Sequence, residues 1–323
     1  MIEYAYFSNS GISPEEWDDF VKKSDNGTIF HEQKFLSYHP VNRFSNNSVV
    51  FFKNNKILAL LPATIIERDN KRIFVSHQGA SYGGFVYKDL NLQEAHKLVE
   101  LLIKIGKEND CNQITLTLPP IIYQKKYSNY IDFALYRNGF SYLKRELSSV
   151  VRLDFKNNKP TELFRDEAIR AVNKAKKLGV EIIETEEFEE YYSILKNNLR
   201  MRHNVTPTHS LDELLKLKKM YPTKIRLFGA FKDEKLIAGV CNFSANSEVV
   251  LAFYISHNDE YQEYRPVNLL FHEIMQKYQL ENFKYLDFGI FTVNMDPNWG
   301  LGRFKENFGA RGIFRDTFTK ILF

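Results

Sequence analysis

Cysteine is scarce in this sequence, with 2 among 323 residues. Cys111 and Cys241 lie far apart, which argues against both a disulfide framework and a cysteine metal site. No basic segment followed by an apolar one opens the chain, and the longest nearly apolar run, ILALLPATII, is about half of the roughly 20 residues that span a bilayer. We therefore expect a reducing compartment, a cytoplasmic location and no transmembrane segment.

Two catalytic patterns are also missing or out of context. His31 and His272 are each followed by glutamate, but neither has a second histidine four residues later, so we expect no metal. A G-x-S-x-G pattern surrounds Ser81, yet the following residues, GFVY, are typical of a strand and not of the helix that supports a nucleophilic serine. We interpret this segment as a glycine-bearing bend that lets backbone approach a ligand or another strand.

The balance of charge limits the partners. A formal charge of +4 permits an anionic ligand, whereas domains dedicated to nucleic acid usually cluster more positive charge. We expect no DNA partner, and tRNA stays possible. The length predicts about two domains, and a 44% hydrophobic content is ample for their cores.

Strand and helix patterns recur in the two halves. The stretch ISPEEWDDFVKKS predicts a helix with Ser13 as N-cap and Glu16 closing a capping box. Residues 48–120 and 224–292 each read as strand, turn, strand, strand, helix, strand, and they align through KILA at Lys56 and KLIA at Lys235. We predict two mixed α/β domains, residues 1–150 and 151–323. Because no Pro/Gly-rich linker separates them, we expect them to pack together.

Between the repeats, the sequence leaves two basic segments open to alternative interpretations. Arg202 and His203 close the run NNLRMRH, where guanidinium groups could bind phosphate or carboxylate, but the same residues suit a solvated helix end. The run RAVNKAKKLGV is more typical of a solvated helix face than of a phosphate site.

Asp287, in the apolar strand YLDFG, is either a turn cap or a functional carboxylate at a strand end.

The second half resembles the FemAB-like branch of the GNAT acyltransferase superfamily. The segments that carry the resemblance lie between Asp166 and Gly312: DEAIRAVNKAKKLGVEI, YYSILKNNLRMRH, KLIAGVCNF, AFYISHNDEYQEYRPVNLLFHEIMQ, YLDFGIF and GLGRFKENFG. The pairing of DFG with a downstream FKENFG is the most specific of these. The resemblance implies tandem GNAT-like domains packed around a shared cleft, and a bacterial acyl transfer enzyme of envelope or polysaccharide synthesis.

One departure concerns the donor site. Acetyl-CoA-binding GNAT domains place a Q/R-x-x-G-x-G/A loop before a helix so that backbone N–H groups hold the pyrophosphate. This chain has Tyr261, Tyr264 and Pro266 at those positions, and proline removes one donor outright. We expect Arg265 and Asn268 to replace part of the cradle.

The segment GLGRFKENFGARG draws attention to Lys305. We expect Gly300 and Gly302 to form a tight turn, followed by about one helical turn that puts Phe304 and Phe308 on one face. A lysine that snorkels over aromatic packing is the alternative to a lysine that stabilises an oxyanion or donor phosphate.

These considerations predict a donor side in the second half and an acceptor side in the first. The predicted catalytic residues are Lys305, Asp287 and Tyr254; the donor-binding residues are Phe304, Arg265, Asn268 and Arg303; the acceptor-binding residues are Lys34, Tyr82, Arg202 and His203.

The predicted activity is transfer of an acyl or aminoacyl group to an amine of a cell-envelope or nucleotide-sugar precursor, with acyl-CoA as donor and no tightly bound cofactor. The acceptor would be a small amine, an amino sugar or a peptide. Two alternatives stay open. One is an aminoacyl-tRNA-dependent enzyme of peptidoglycan synthesis, and the other is a non-catalytic tandem-GNAT scaffold.

Overall fold

The structure, a computed structural model, describes residues 1–40, 42–203 and 206–323, with side chains for these residues except 201–203. The strands, in chain order, are β1 (Ile2–Tyr6), β2 (Val49–Lys53), β3 (Lys56–Leu61), β4 (Ala63–Arg68), β5 (Lys71–Ser76), β6 (Val86–Tyr87), β7 (Gln113–Thr117), β8 (Ser141–Arg152), β9 (Glu181–Thr185), β10 (Ile225–Lys232), β11 (Lys235–Ser244), β12 (Val249–His257), β13 (Tyr285–Ile290), β14 (Thr292–Val293), β15 (Asp296–Pro297) and β16 (Arg311–Ile321).

The α-helices are α1 (Pro14–Lys23), α2 (Gln33–Leu36), α3 (Leu92–Glu108), α4 (Tyr130–Arg137), α5 (Asp166–Lys177), α6 (Phe188–His203), α7 (Leu211–Met220), α8 (Pro266–Leu280) and α9 (Trp299–Glu306). Every helix in the described ranges is too short or too polar to traverse a lipid bilayer.

The chain divides into two compact units, Met1–Leu147 with Phe314–Phe323, and Ser148–Ile313. In the first unit, one sheet has the order β1-β2-β3-β6, and a second contains β4-β5-β7-β16. Helices α3 and α4 bury their apolar residues, among them Leu98, Leu102 and Leu135, in one core with residues of both sheets. The second unit contains a sheet in the order β9-β10-β11-β12-β13, to which residues 148–152 of β8 add an antiparallel strand.

Local sequence signals account for where several helices begin. Ser13 accepts a hydrogen bond from the Glu16 N–H while Glu16 accepts one from the Ser13 N–H, so the predicted capping box at α1 is present. The same reciprocal pair joins Ser210 and Glu213 at the start of α7.

The predicted recurrence of strand order is present in the two units. The second unit orders β10-β11-β12-β13, with α8 between the last two strands, and the first unit orders β2, β3 with β4, β5 and β7, with α3 before β7. The strand equivalent to β11 is divided, because Pro62 separates β3 from β4 and a proline donates no ladder hydrogen bond. Each half of the divided strand therefore joins a different sheet. Superposition of the two segments stays a prediction.

Both cysteines are fully buried, Cys111 in the first unit and Cys241 in the second. Burial raises the pKa of each thiol above its ordinary value. Neither is therefore placed to act as a thiolate in the folded state.

Candidate functional site

A cavity of about 980 Å³ lies within the second unit. Its walls come from α5, α6, β12, the start of α8, the end of β13 and α9. The lining includes five residues predicted from the sequence: Tyr254, Arg265, Asn268, Phe304 and Lys305.

The cavity opens where two parallel strands stop pairing. Strand β12 pairs with β13 from Val249 to Leu251, opposite Tyr285 to Asp287. Beyond this point, residues 252–255 of β12 and Phe288 and Ile290 of β13 line the cavity. The other edge of β12 stays paired with β11 through Tyr254 to His257. The separation of the strands therefore leaves backbone of β12 facing the cavity, where an extended ligand can pair with it.

Lys305 is buried at one wall of this cavity, with 2% of its surface exposed. Its Nζ donates hydrogen bonds to the carbonyl oxygens of Gly289 and Ile290, each over 2.8 Å. Both carbonyls are available because Gly289 adopts a positive φ of 73°, which interrupts the pairing of β13 with β8 between Asp287 and Ile290. An ammonium group has three N–H donors, so two are used here and one is left for a ligand.

Burial lowers the pKa of Lys305 from its ordinary value of 10.5 to about 8, and the negative charge of Asp287 acts in the opposite direction. Lys305 is thus a cation at neutral pH that loses its proton within the range in which many enzymes work. A buried amine with a perturbed pKa at a cavity wall is a candidate functional group.

The position of Lys305 depends on helix α9. The helix begins after Asn298, whose Oδ1 accepts a hydrogen bond from the Leu301 N–H over 3.0 Å. Our prediction of a tight turn at Gly300 and Gly302 is wrong, because both residues lie inside this helix. A Cβ on Gly302 would come within 2.9 Å of the Phe291 ring, so glycine is needed there for close packing.

Phe304 and Phe308 pack on one side of this segment, as the sequence predicted. The Phe304 and Phe308 ring centroids are 5.1 Å apart, and Phe308 is fully buried. Because these rings anchor one side of α9 and its C-terminal end, the intervening Lys305 is directed to Gly289 and the cavity.

Asp287 is fully buried and does not line the cavity. One carboxylate oxygen accepts hydrogen bonds from Ser148 Oγ over 2.5 Å and from the Gly289 N–H over 2.8 Å. Asp287 therefore stabilises the turn whose carbonyls bind Lys305. We assign it a positioning role and not direct contact with a substrate.

Tyr254 lines the cavity, but its hydroxyl group is engaged elsewhere. The His209 N–H donates to Tyr254 Oη over 3.1 Å, and His209 Nδ1 lies 2.9 Å from the same oxygen. Burial raises the pKa of Tyr254 above its ordinary value. These contacts favour a neutral tyrosine that shapes the wall.

The start of α8 faces the cavity without a side-chain cap. Arg265 precedes the helix in a left-handed conformation, with φ 55° and ψ 39°, and Pro266 occupies the first helical position. Arg265, Pro266, Val267 and Asn268 all line the cavity. The glycine cradle is absent from this part of the described chain, so phosphate binding here would depend on side chains and on the remaining N–H groups.

Two further cations line the cavity from α5, and neither is among the site residues predicted from the sequence. Arg170 and Lys174 are four residues apart and share a helix stripe with Glu167 and Ala171. Among the described residues, neither forms an ion pair with a side chain of the protein. The sequence could have indicated them, because they form a second helical stripe beside the buried stripe Ala168, Val172 and Ala175.

Arg303 is exposed on α9 and does not line the cavity. In the first unit, Lys34 is exposed near the start of α2, and its backbone N–H donates to Asp18 over 3.2 Å. Tyr82 is buried, with its hydroxyl 3.3 Å from that of Tyr123. The predicted side-chain roles of Arg202 and His203 lie outside the described residues. In the described ranges, no three His, Cys, Asp or Glu side chains are arranged to hold a metal ion.

Comparison with known proteins identifies the domain type of the second unit. Residues 164–306 match a family model described as an acetyltransferase (GNAT) domain. No curated protein matches the sequence. The predicted class, a GNAT-type acyltransferase, is confirmed by the family match.

Solved structures confirm the predicted fold. FemX is 13% identical, with 99% of this chain and 97% of that chain covered and a TM-score of 0.75. L-PGS from Bacillus licheniformis is 11% identical, with 95% and 91% covered and a TM-score of 0.61. A tandem GNAT protein from the clavulanic acid biosynthesis pathway is 11% identical, with 100% and 99% covered and a TM-score of 0.60. The fold is therefore that of FemX-like, tandem GNAT proteins.

Proposed function

We propose, on the premise that residues 164–306 belong to the acetyltransferase (GNAT) family, that the chain transfers an acyl or aminoacyl group from a phosphate-bearing donor to an amine of a cell-envelope or nucleotide-sugar precursor. The observation that carries this proposal is the buried Lys305 at the wall of the cavity, with a pKa of about 8 and two of its N–H groups held by carbonyls.

The donor binds along β12, with its reactive carbonyl near Lys305. The acceptor amine attacks this carbonyl carbon and forms the new C–N bond. The bond from carbon to the sulfur or oxygen of the carrier then breaks, and the carrier leaves with the proton that the amine loses. The remaining N–H of the Lys305 ammonium stabilises the oxyanion, and its two carbonyl contacts fix its direction before the reaction begins.

The negative charge of the donor is matched by side chains. Arg170, Lys174 and Arg265 contribute three cations at the cavity, and Glu167 is the acidic residue among its lining. Guanidinium groups bind phosphate oxygens in bidentate fashion, and lysine supplies a point charge. This arrangement suits the diphosphate of acyl-CoA.

An aminoacyl-tRNA donor is the second candidate, and one observation favours it. The start of α8 carries Arg265 and Pro266 in place of a glycine cradle, so the site has no backbone loop specialised for a compact diphosphate. The resemblance of the second half to the FemAB-like branch supports a donor and an acceptor of envelope synthesis, and the similarity in fold to FemX and L-PGS is consistent with that branch.

The experiment incubates the protein with amino-sugar and peptide amines and either an acyl-CoA panel or charged tRNA, with products detected by mass spectrometry. The active arm identifies the donor. In that arm, we expect Lys305→Met to lower kcat by roughly 10²–10³, the effect of losing one oxyanion donor. The control is Lys219→Met, which makes the same chemical change at an exposed lysine of α7 outside the cavity.

Circular dichroism and thermal unfolding establish that both variants fold. Full activity of folded Lys305→Met would contradict the role of Lys305. Binding of acceptor and donor without any product would favour the scaffold alternative.

A further inference from the structure

An exposed aromatic face on the first unit has no role in the cavity chemistry. It consists of Tyr130, Phe133 and Tyr136 on α4, Tyr142 on β8 and Phe314 on β16. Each of these side chains is 43–68% exposed. We refer to these five residues as the aromatic face. Exposed aromatic side chains that are adjacent are unusual and indicate contact with another surface.

Helix α4 presents two opposite surfaces. Ile131, Ala134 and Leu135 are buried in the core of the first unit. Tyr130, Phe133 and Tyr136 follow one another at intervals of three residues and point away from that core. The core side of α4 is therefore packed by other residues, and much of the surface of these three rings stays open to solvent.

Tyr142, one of the strand residues of the face, packs on the same core as the inner side of α4. The ring centroid of Tyr142 lies 4.7 Å from that of Phe318, which is fully buried in the same core as the inner side of α4. The Arg145 guanidinium lies between the rings of Tyr142 and Phe314, 4.3 and 3.8 Å from their centroids. Arg145 also pairs with Asp316, which holds this part of the face in place.

Positive charge borders the face. Arg137 extends from the last turn of α4, and Lys320 Nζ lies 2.9 Å from the place where a Cβ on Gly139 would stand. Among the described residues, neither Arg137 nor Lys320 forms an ion pair. The acidic side chains nearby are Asp316, which Arg145 neutralises, and Asp132, whose pKa is raised by burial and by the charge of Asp316.

We propose that the aromatic face binds the surface of an anionic lipid bilayer. Tyrosine and phenylalanine rings suit the headgroup level of a bilayer, where an apolar ring and a polar hydroxyl are both accommodated. The bordering Arg137 and Lys320 attract anionic headgroups. These unpaired cations beside the rings favour a charged lipid surface over an apolar protein partner.

The test is co-sedimentation of the whole protein with vesicles of phosphatidylglycerol and phosphatidylcholine, or of phosphatidylcholine alone. We expect binding to the anionic vesicles that weakens as salt is added, because salt screens the attraction between charges. We expect Tyr130→Ser/Phe133→Ser/Tyr136→Ser to lower the partition coefficient by at least roughly tenfold. The matched control is Ile183→Ser/Leu280→Ser/Val293→Ser, which removes three exposed apolar side chains from the second unit.

A second measurement does not depend on the folding of a variant. Hydrogen exchange of the wild-type protein should show slower exchange at Tyr130–Arg137 when anionic vesicles are present. Absence of binding by the wild type, or an equal loss in the control variant, would overturn the proposal. A homodimer in light scattering that the triple variant converts to a monomer would instead assign the face to a second copy of the chain.

Discussion

The two units contain the same strand–helix–strand element, and in the second unit this element opens into the cavity described above. In the second unit, β12 and β13 pair as far as Leu251 and Asp287 and then separate. In the first unit, β5 and β7 pair as far as Val75 and Thr115, and the contact continues. The Thr117 N–H donates to Ser76 Oγ over 2.9 Å, and the Gly83 N–H donates to the Thr117 carbonyl over 2.8 Å. The second unit therefore has room for a ligand because its two parallel strands separate after their last paired residues, whereas those of the first unit stay in contact.

The helices of the two elements differ at their first residues as well. Asn91 and Glu94 form a capping box at α3, and Glu94 pairs with Lys53 over 2.6 Å. The capping box satisfies the N–H groups of Asn91 and Glu94 at that helix start, and the Glu94 carboxylate lies there paired with a lysine. Helix α8 begins beside Arg265 with no side-chain cap and faces the cavity. We therefore expect the second helix start, which is uncapped and beside an arginine, to be the better place for an anion.

The largest effect we expect is the contribution of Lys305, in the second unit, to the pH dependence of the free energy of unfolding. Its folded pKa of about 8 lies below the ordinary value, so the unfolded chain binds a proton that the folded chain lacks between about pH 8 and 10.5. The free energy of unfolding of the wild type, relative to Lys305→Met, should therefore rise with pH through this window by about 3 kcal/mol.

Urea unfolding of both proteins at several pH values measures this difference and cancels the titration of other groups, among them the two cysteines. If the difference in free energy of unfolding between the two proteins stays constant from pH 7.5 to 10.5, the pKa of Lys305 is not lowered in the folded protein.

The cations of α5 provide the next test of the comparison. We expect Arg170→Gln/Lys174→Gln to raise KM for the donor by roughly 10–100-fold with little change in kcat, because the contacts to phosphate are similar in the ground and transition states. The measurement is steady-state kinetics at two salt concentrations, with a weaker salt dependence in the variant. Lys176→Gln/Lys177→Gln removes the same charge from the same helix outside the cavity and should leave KM within about twofold. An equal increase in both variants would assign the effect to overall charge.

The smallest effect concerns the strand–helix–strand element of the first unit, whose two strands stay joined beyond their parallel pairing. Asn91→Ala removes the α3 cap and should lower the free energy of unfolding by about 1 kcal/mol. Transfer activity of the folded variant should not change, since α3 borders no part of the donor cavity. Chemical denaturation and an activity assay at a temperature well below the transition check both statements. A loss of activity without a loss of stability would show that the first helix start also binds donor.

The elements themselves could be predicted from local patterns. The cap at Ser13 depends on a residue three positions away, so the sequence alone predicted it. The strand order was predicted from alternating apolar residues and from the alignment of Lys56 with Lys235. Lys305 was selected through the family resemblance, and the structure places it in a cavity.

The contacts that decide the site join residues distant in sequence. Asp287 could be a turn cap or a functional carboxylate until Ser148 appeared as its partner. Gly302 was misassigned to a turn because its constraint is the ring of Phe291, a tertiary contact. Arg170 and Lys174 were treated as solvated because helix periodicity identifies the buried stripe but not the stripe that borders an open space.

The two buried thiols provide one probe of local opening in each unit. Cys111 belongs to the first unit and Cys241 to the second, and the folded protein covers both sulfur atoms. A thiol reagent can modify each one only when its surroundings open, so the labelling rate at each cysteine measures the opening of that unit. Without any substitution, mass spectrometry of the two labelled peptides can then tell whether donor binding protects Cys241 while Cys111 continues to react at its former rate.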